Sequence, residues 1–136
     1  MTIHPPDRVA VFHFSGKVNV PLARAAFVDY TARPDFDPAH TMLSDATQTT
    51  EVEARFVDVM TNVLGLMSIL RRFETPVVSV VIVADDTAFG FVRMLGQALD
   101  FTSNISMRPV WSRAEAATAT GLPLARLDHL LDVTVP

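Results

Sequence analysis

Apolar positions along the chain alternate between runs of strand length and stripes at helical spacing. The clearest run is Val77 to Ala84, Val-Val-Ser-Val-Val-Ile-Val-Ala. Its continuous apolar character predicts a central parallel strand covered on both faces. Val9 to Phe14, β-branched and aromatic, predicts a first strand that ends at the turn signal Ser15-Gly16. Thr2-Ile3-His4 is expected to pair with it across Pro5-Pro6-Asp7. A helix follows from about Pro21, whose fixed φ suits a first helical position, with Leu22, Ala26 and Tyr30 in phase until Pro34 stops it. A short strand is expected at Thr41 to Ser44.

Thr50-Glu51-Val52-Glu53 has the spacing of a capping box, in which threonine and glutamate satisfy each other's free amides. It predicts a long helix from Glu51 to Phe73. Val52, Phe56, Met60, Val63, Leu64, Met67 and Leu70 form one stripe, while Val57, Leu66 and Ile69 lie off it. The second half is therefore apolar nearly all round and calls for cover on both sides. Asp85-Asp86-Thr87 offers a cap for a helix from Ala88 to about Phe101. A strand from Ile105 to Trp111 comes next, and Pro109 inside it argues for an edge position. A second capping box, Ser112 to Glu115, opens a short helix that Gly121 ends. Pro123 then begins a last amphipathic segment with Leu124, Leu127, Leu130 and Leu131 on one side.

Strands alternating with helices imply βαβ units and a mostly parallel sheet of four or five strands with helices packed on it, an α/β fold. The 136 residues suit one domain, 1–136, and nearly half of them are apolar, enough for a sizeable core. Net charge is −4 and the single lysine is Lys17, so no basic stripe exists to track a nucleic-acid backbone. Without cysteine there is no disulfide, thiolate chemistry or Cys-based metal site. The N-terminus lacks the basic-then-apolar pattern of a secretory signal, and Phe56 to Leu70 is too short to span a bilayer, so a cytoplasmic location is expected.

Candidate chemistry gathers where open α/β sheets hold ligands, beyond the carboxyl ends of the parallel strands. Those ends carry Ser44-Asp45-Ala46-Thr47, then Asp85, Asp86 and Thr87, and Ser112-Arg113. Aspartates at such a place suit either oxygen-ligated Mg²⁺ or helix capping, and capping is the favoured reading. Phe89 and Gly90 lie in the first turns of the next helix. The glycine permits either a close approach by an anionic group or tight packing of helix on sheet, and packing is favoured. Arg93, one turn on, suits a carboxylate of the protein or an acidic ligand. Trp111 reads most simply as a lid on the core, and the four histidines have no metal spacing. No nucleophile and base can be assembled, so no catalytic residue, metal or cofactor is assigned.

The run of Phe-Ser-Gly at the end of the first strand, Arg33-Pro34-Asp35-Phe36 before Met42-Leu43-Ser44-Asp45, Val80 to Asp86, Ala88-Phe89-Gly90 and Arg93-Met94 resembles the bacterial STAS-like (STAS/SEC14-like) proteins, with their SpoIIAA-like, anti-sigma-factor-antagonist fold. The similarity spans Val9 to Ala117 and leaves 122–136 as a C-terminal helical extension. It implies binding and regulation rather than catalysis. The antagonists carry aspartate-serine-serine-glycine where this chain has Asp45-Ala46-Thr47-Gln48, so their phosphorylated serine is missing. A non-enzymatic interaction module, dimeric through helix 51–73 and meeting a regulatory protein, is the resulting expectation. The alternative is a carrier of a small ligand or acidic lipid in the carboxyl-end crevice.

Overall fold

The structure, a computed structural model, describes residues 1–133. Near the N-terminus, β1 (Thr2–His4) turns through a 3-10 segment at Pro5–Asp7 into β2 (Val9–Asn19), its antiparallel partner. The turn closes when Arg8, in left-handed conformation, donates its amide to the Pro5 carbonyl at 3.0 Å. The prolines thus form the turn and leave the pairing intact. α1 (Val20–Thr31) begins where the Asn19 side chain accepts the Leu22 amide at 2.9 Å, with Pro21 in its first turn. After it come β3 (Thr41–Glu53), α2 (Phe56–Gly65), α3 (Met67–Leu70) and β4 (Val77–Ile82). α4 (Asp86–Thr102), β5 (Ile105–Val110), α5 (Arg113–Thr120) and α6 (Leu124–Val133) complete the order.

The five strands lie side by side in chain order, β1-β2-β3-β4-β5, and all neighbours from β2 onward are parallel. This is the expected mostly parallel α/β fold, and β5, with Pro109, is at the edge. Crossovers of the usual right hand, taken in sequential order, all return over one face. Accordingly α1 to α4 cover the face bearing Ala10, Phe12, Met42, Val77 and Ile105. The opposite face, with Val9, Val11, Leu43, Val80 and Ile82, is covered by α5 and α6. The Val77–Ile82 run is apolar on both phases because both phases meet helices. The segment read as an extension therefore supplies half of a layer through Leu127, Leu130 and Leu131, all buried. Its last residues, 134–136, lie outside the described part.

The helix expected over 51–73 is overturned. Thr50 to Glu53 belong to β3, which is 13 residues long, and the expected helix 51–73 is instead α2, a break at Leu66, and α3. Thr-x-x-Glu is also compatible with a strand of alternating β-branched and polar residues, and pairing to β2 decides between them. Lys17 on β2 and Glu53 on β3 close that pairing with an ion pair at 3.1 Å. β2 likewise continues past Ser15-Gly16, absorbing two register shifts, with Gly16 at φ +68°. Because β4 pairs only with Met42 to Asp45, the stretch beyond is a two-stranded β2–β3 ribbon. The stripe on α2 and α3 shifts too: Val59, Val63, Leu66 and Leu70 are buried, whereas Phe56 and Leu64 face outward.

Candidate functional site

The carboxyl-end residues are mostly occupied with one another or with backbone. On β3, the Asp45 carboxylate accepts both the Thr47 amide, at 2.9 Å, and the Thr47 hydroxyl, at 2.6 Å. Asp85 caps α4 by accepting the Ala88 amide at 2.8 Å. Asp86 and Thr87 are exposed in the first turn of that helix. Among the described residues no hydrogen bond or ion pair joins Asp45 to Asp85 or Asp86, and Arg93, exposed, forms no ion pair with the local aspartates. Phe89 stacks on Trp111, centroids 4.9 Å apart and rings within 6° of parallel. Trp111 remains 46% exposed, so it is an outer stacking partner rather than a lid on the core.

Gly90 is also placed differently from expectation. It is exposed, and a Cβ built there meets nothing within 4 Å, so it serves no tight packing. The tight contact is further along the same helix, at Gly96, where a Cβ would fall 2.6 Å from the Met107 carbonyl oxygen on β5. The sheet also lacks the reversal of strand order that opens a crevice at the strand ends, since β1 to β5 run in unbroken sequence.

Concave space lies elsewhere, beneath α1, α2 and α4. A cavity of about 150 Å³ separates these helices from the sheet. Its floor is the inward phase of the strands, Phe12 and Phe14 on β2, Met42, Ser44 and Ala46 on β3, and Ser79, Val81 and Val83 on and just past β4. Its roof is built from Ala26 and Phe27 of α1, Val59 and Val63 of α2, and Val92 and Leu95 of α4. Val18, Thr49 and Val52 of the β2–β3 ribbon close one end. The polar residues at the wall are Arg24, Ser44, Thr49, Asn62 and Ser79.

These polar groups divide into a rim and a floor. At the rim the Arg24 guanidinium donates to the Asn62 side-chain oxygen at 3.3 Å, bridging α1 and α2. Asn62 in turn donates to the Asp58 carbonyl at 2.8 Å, and the Thr49 hydroxyl donates to the Ala46 carbonyl at 2.8 Å. On the floor, Ser44 and Ser79 are 6% and 2% exposed, and neither hydroxyl has a hydrogen-bond partner among the described residues. On the same face of the sheet, near the end of α1, Tyr30 is fully buried against Phe12 and Phe36. Burial, then the negative charge of Asp37 and Asp35, pushes its phenol up to about 12, so it stays neutral and donates to the Asp37 carbonyl at 3.4 Å.

Ser44 is among the residues that the strand-end rule selects, whereas Ser79, Arg24 and Asn62 are not. A usable signal did exist for the serines. Ser79 is the one polar residue inside the apolar run Val77 to Ala84, and Ser44 follows Met42-Leu43 in the same inward phase. A hydroxyl in the middle of a doubly covered strand calls for a partner. No combination of three metal-ligating side chains occurs among the described residues, and none of their helices is long and apolar enough to cross a membrane. No family model, curated protein or solved structure matches the chain.

Proposed function

We propose that the protein is a non-enzymatic binding protein that holds one small apolar molecule between its sheet and its α1–α2–α4 layer. The supporting observation is the cavity of about 150 Å³ with a wall that is apolar apart from a few hydroxyl and rim groups. Space of that size and lining takes a benzene-sized guest in other proteins. Unfilled, it forfeits the dispersion contacts that close packing supplies. The STAS-like resemblance is compatible with a binding role, and the site in this reading is internal rather than at the strand ends.

Titration with toluene, followed by amide chemical shifts, tests the reading. Shifts concentrated on residues 42–46, 79–83 and 88–95 are expected. Ala26→Leu, which fills the roof, is expected to abolish them while the variant still folds. Saturating toluene without localised shifts in the wild type would overturn it.

A second reading is favoured by the outer face of α2, where Phe56, Val57 and Leu64 are 62, 70 and 58% exposed. Large apolar side chains grouped on one helix face suit contact with another protein, here taken as a second copy of the chain. Sedimentation equilibrium is expected to give a dimer that Val57→Glu with Leu64→Glu converts to monomer. A wild-type monomer at 100-fold varied concentration would remove this reading.

A further inference from the structure

Resting on the cavity reading, we infer that the guest carries one neutral hydrogen-bonding oxygen, a hydroxyl or a carbonyl, seated between Ser44 and Ser79. Both serines are more than nine-tenths buried, both line the cavity, and neither hydroxyl is bonded to protein among the described residues. Neither serine oxygen is sealed off from the space it lines, so each takes its hydrogen-bond partner from whatever enters, water or guest. Strand register fixes the arrangement: Ser79 lies opposite Met42 and Ser44 opposite Val81, so the serines are diagonal neighbours on one face of β3 and β4. An oxygen placed between them is within reach of both.

The surroundings set the charge. Ala46, Val81, Met107 and Phe12 share this part of the wall, and the only cationic group of the cavity, Arg24, is at the rim and bound to Asn62. A carboxylate on the floor would be left without a counter-charge in an apolar space, which is prohibitive. A neutral oxygen is accommodated because a serine hydroxyl both donates and accepts. A phenol or alcohol donates to one serine and accepts from the other, and a carbonyl accepts from both. The size of the cavity limits the rest of the guest to about one ring or a chain of similar volume.

Phenol and toluene, equal in heavy atoms and differing in the oxygen, are the probes. Their dissociation constants are measured by chemical-shift titration on the wild type and on Ser44→Ala with Ser79→Ala. The double variant is expected to weaken phenol about tenfold or more relative to toluene, the effect of losing a buried hydrogen bond. Comparing ratios cancels the different hydration of the two probes, and retained toluene binding shows that the variant is folded. An unchanged ratio with both probes bound would mean that water alone serves the serines, and would overturn the inference while leaving the cavity reading standing. No binding of either probe to the wild type would overturn both. Should the double variant fail to fold, Ser79→Ala alone carries the same comparison with the same deciding ratio.

Discussion

A Cβ built on Gly96 would lie 2.6 Å from the Met107 carbonyl oxygen, whereas one built on Gly90 meets nothing within 4 Å. Both residues are inside α4, where glycine costs roughly 1 kcal/mol relative to alanine. Gly90→Ala is therefore expected to stabilise the protein by about 0.5–1 kcal/mol in urea unfolding. Gly96→Ala forces β5 or the helix to shift and is expected to destabilise by about 1–3 kcal/mol, overpacking outweighing propensity. A destabilised Gly90→Ala would point to a role at the helix start that the open space around it does not suggest. The difference between these glycines was hidden in the sequence because both sit in similar apolar surroundings, and only the approach of β5 separates them. Asp85 was legible as a cap because capping is local chemistry.

At the scale of elements, the same distinction between local and distant causes explains what could be read. β4, α4, α5 and the edge position of β5 follow from periodicity, caps and a proline, each acting over a few residues. The stretch from Gln48 to Glu53 did not, since its helix cap and its strand alternation are equally good locally and the partner strand is some thirty residues away. α6 is tied to the N-terminal turn by Arg126, whose guanidinium meets the Asp7 carboxylate at 2.6 and 2.9 Å. That hydrogen bond holds the Asp7 carboxyl below its ordinary value of 3.8. The folded state then binds fewer protons than the unfolded one near that pH, so the contribution is fully present above about pH 5 and fades as pH falls through the lowered value. Asp7→Asn is expected to destabilise at pH 6, with a difference from wild type that shrinks steadily between pH 4 and pH 2 in urea unfolding. A constant difference would mean that the pair does not act through charge. Independently, Leu130→Ala, which empties a buried site under α6, is expected to cost about 2–5 kcal/mol in the same assay.

For the whole molecule, the decisive feature is that one face of the sheet is closely covered by α5 and α6 while the other leaves a cavity under α1, α2 and α4. Internal void is eliminated on unfolding, so pressure should unfold the protein readily. Ala26→Leu is expected to reduce the magnitude of the volume change of unfolding, measured by fluorescence or NMR under pressure, and an unchanged value would show that the space does not persist in solution. The layer order was legible from the alternation of strands and helices, but the void was not, because it depends on how roof and floor fit rather than on which residues are apolar. The β2–β3 ribbon closes one end of the void with Val18, Thr49 and Val52, and β4 stops short of that ribbon at Asp45. Bending at the two irregular registers of β2 would swing the ribbon aside while every bond between β4 and its neighbours stays made. Were a guest held there, its turnover would then be decoupled from the stability of the domain: a mutation that loosened the ribbon would speed arrival and departure together and leave the occupied fraction at equilibrium nearly unchanged.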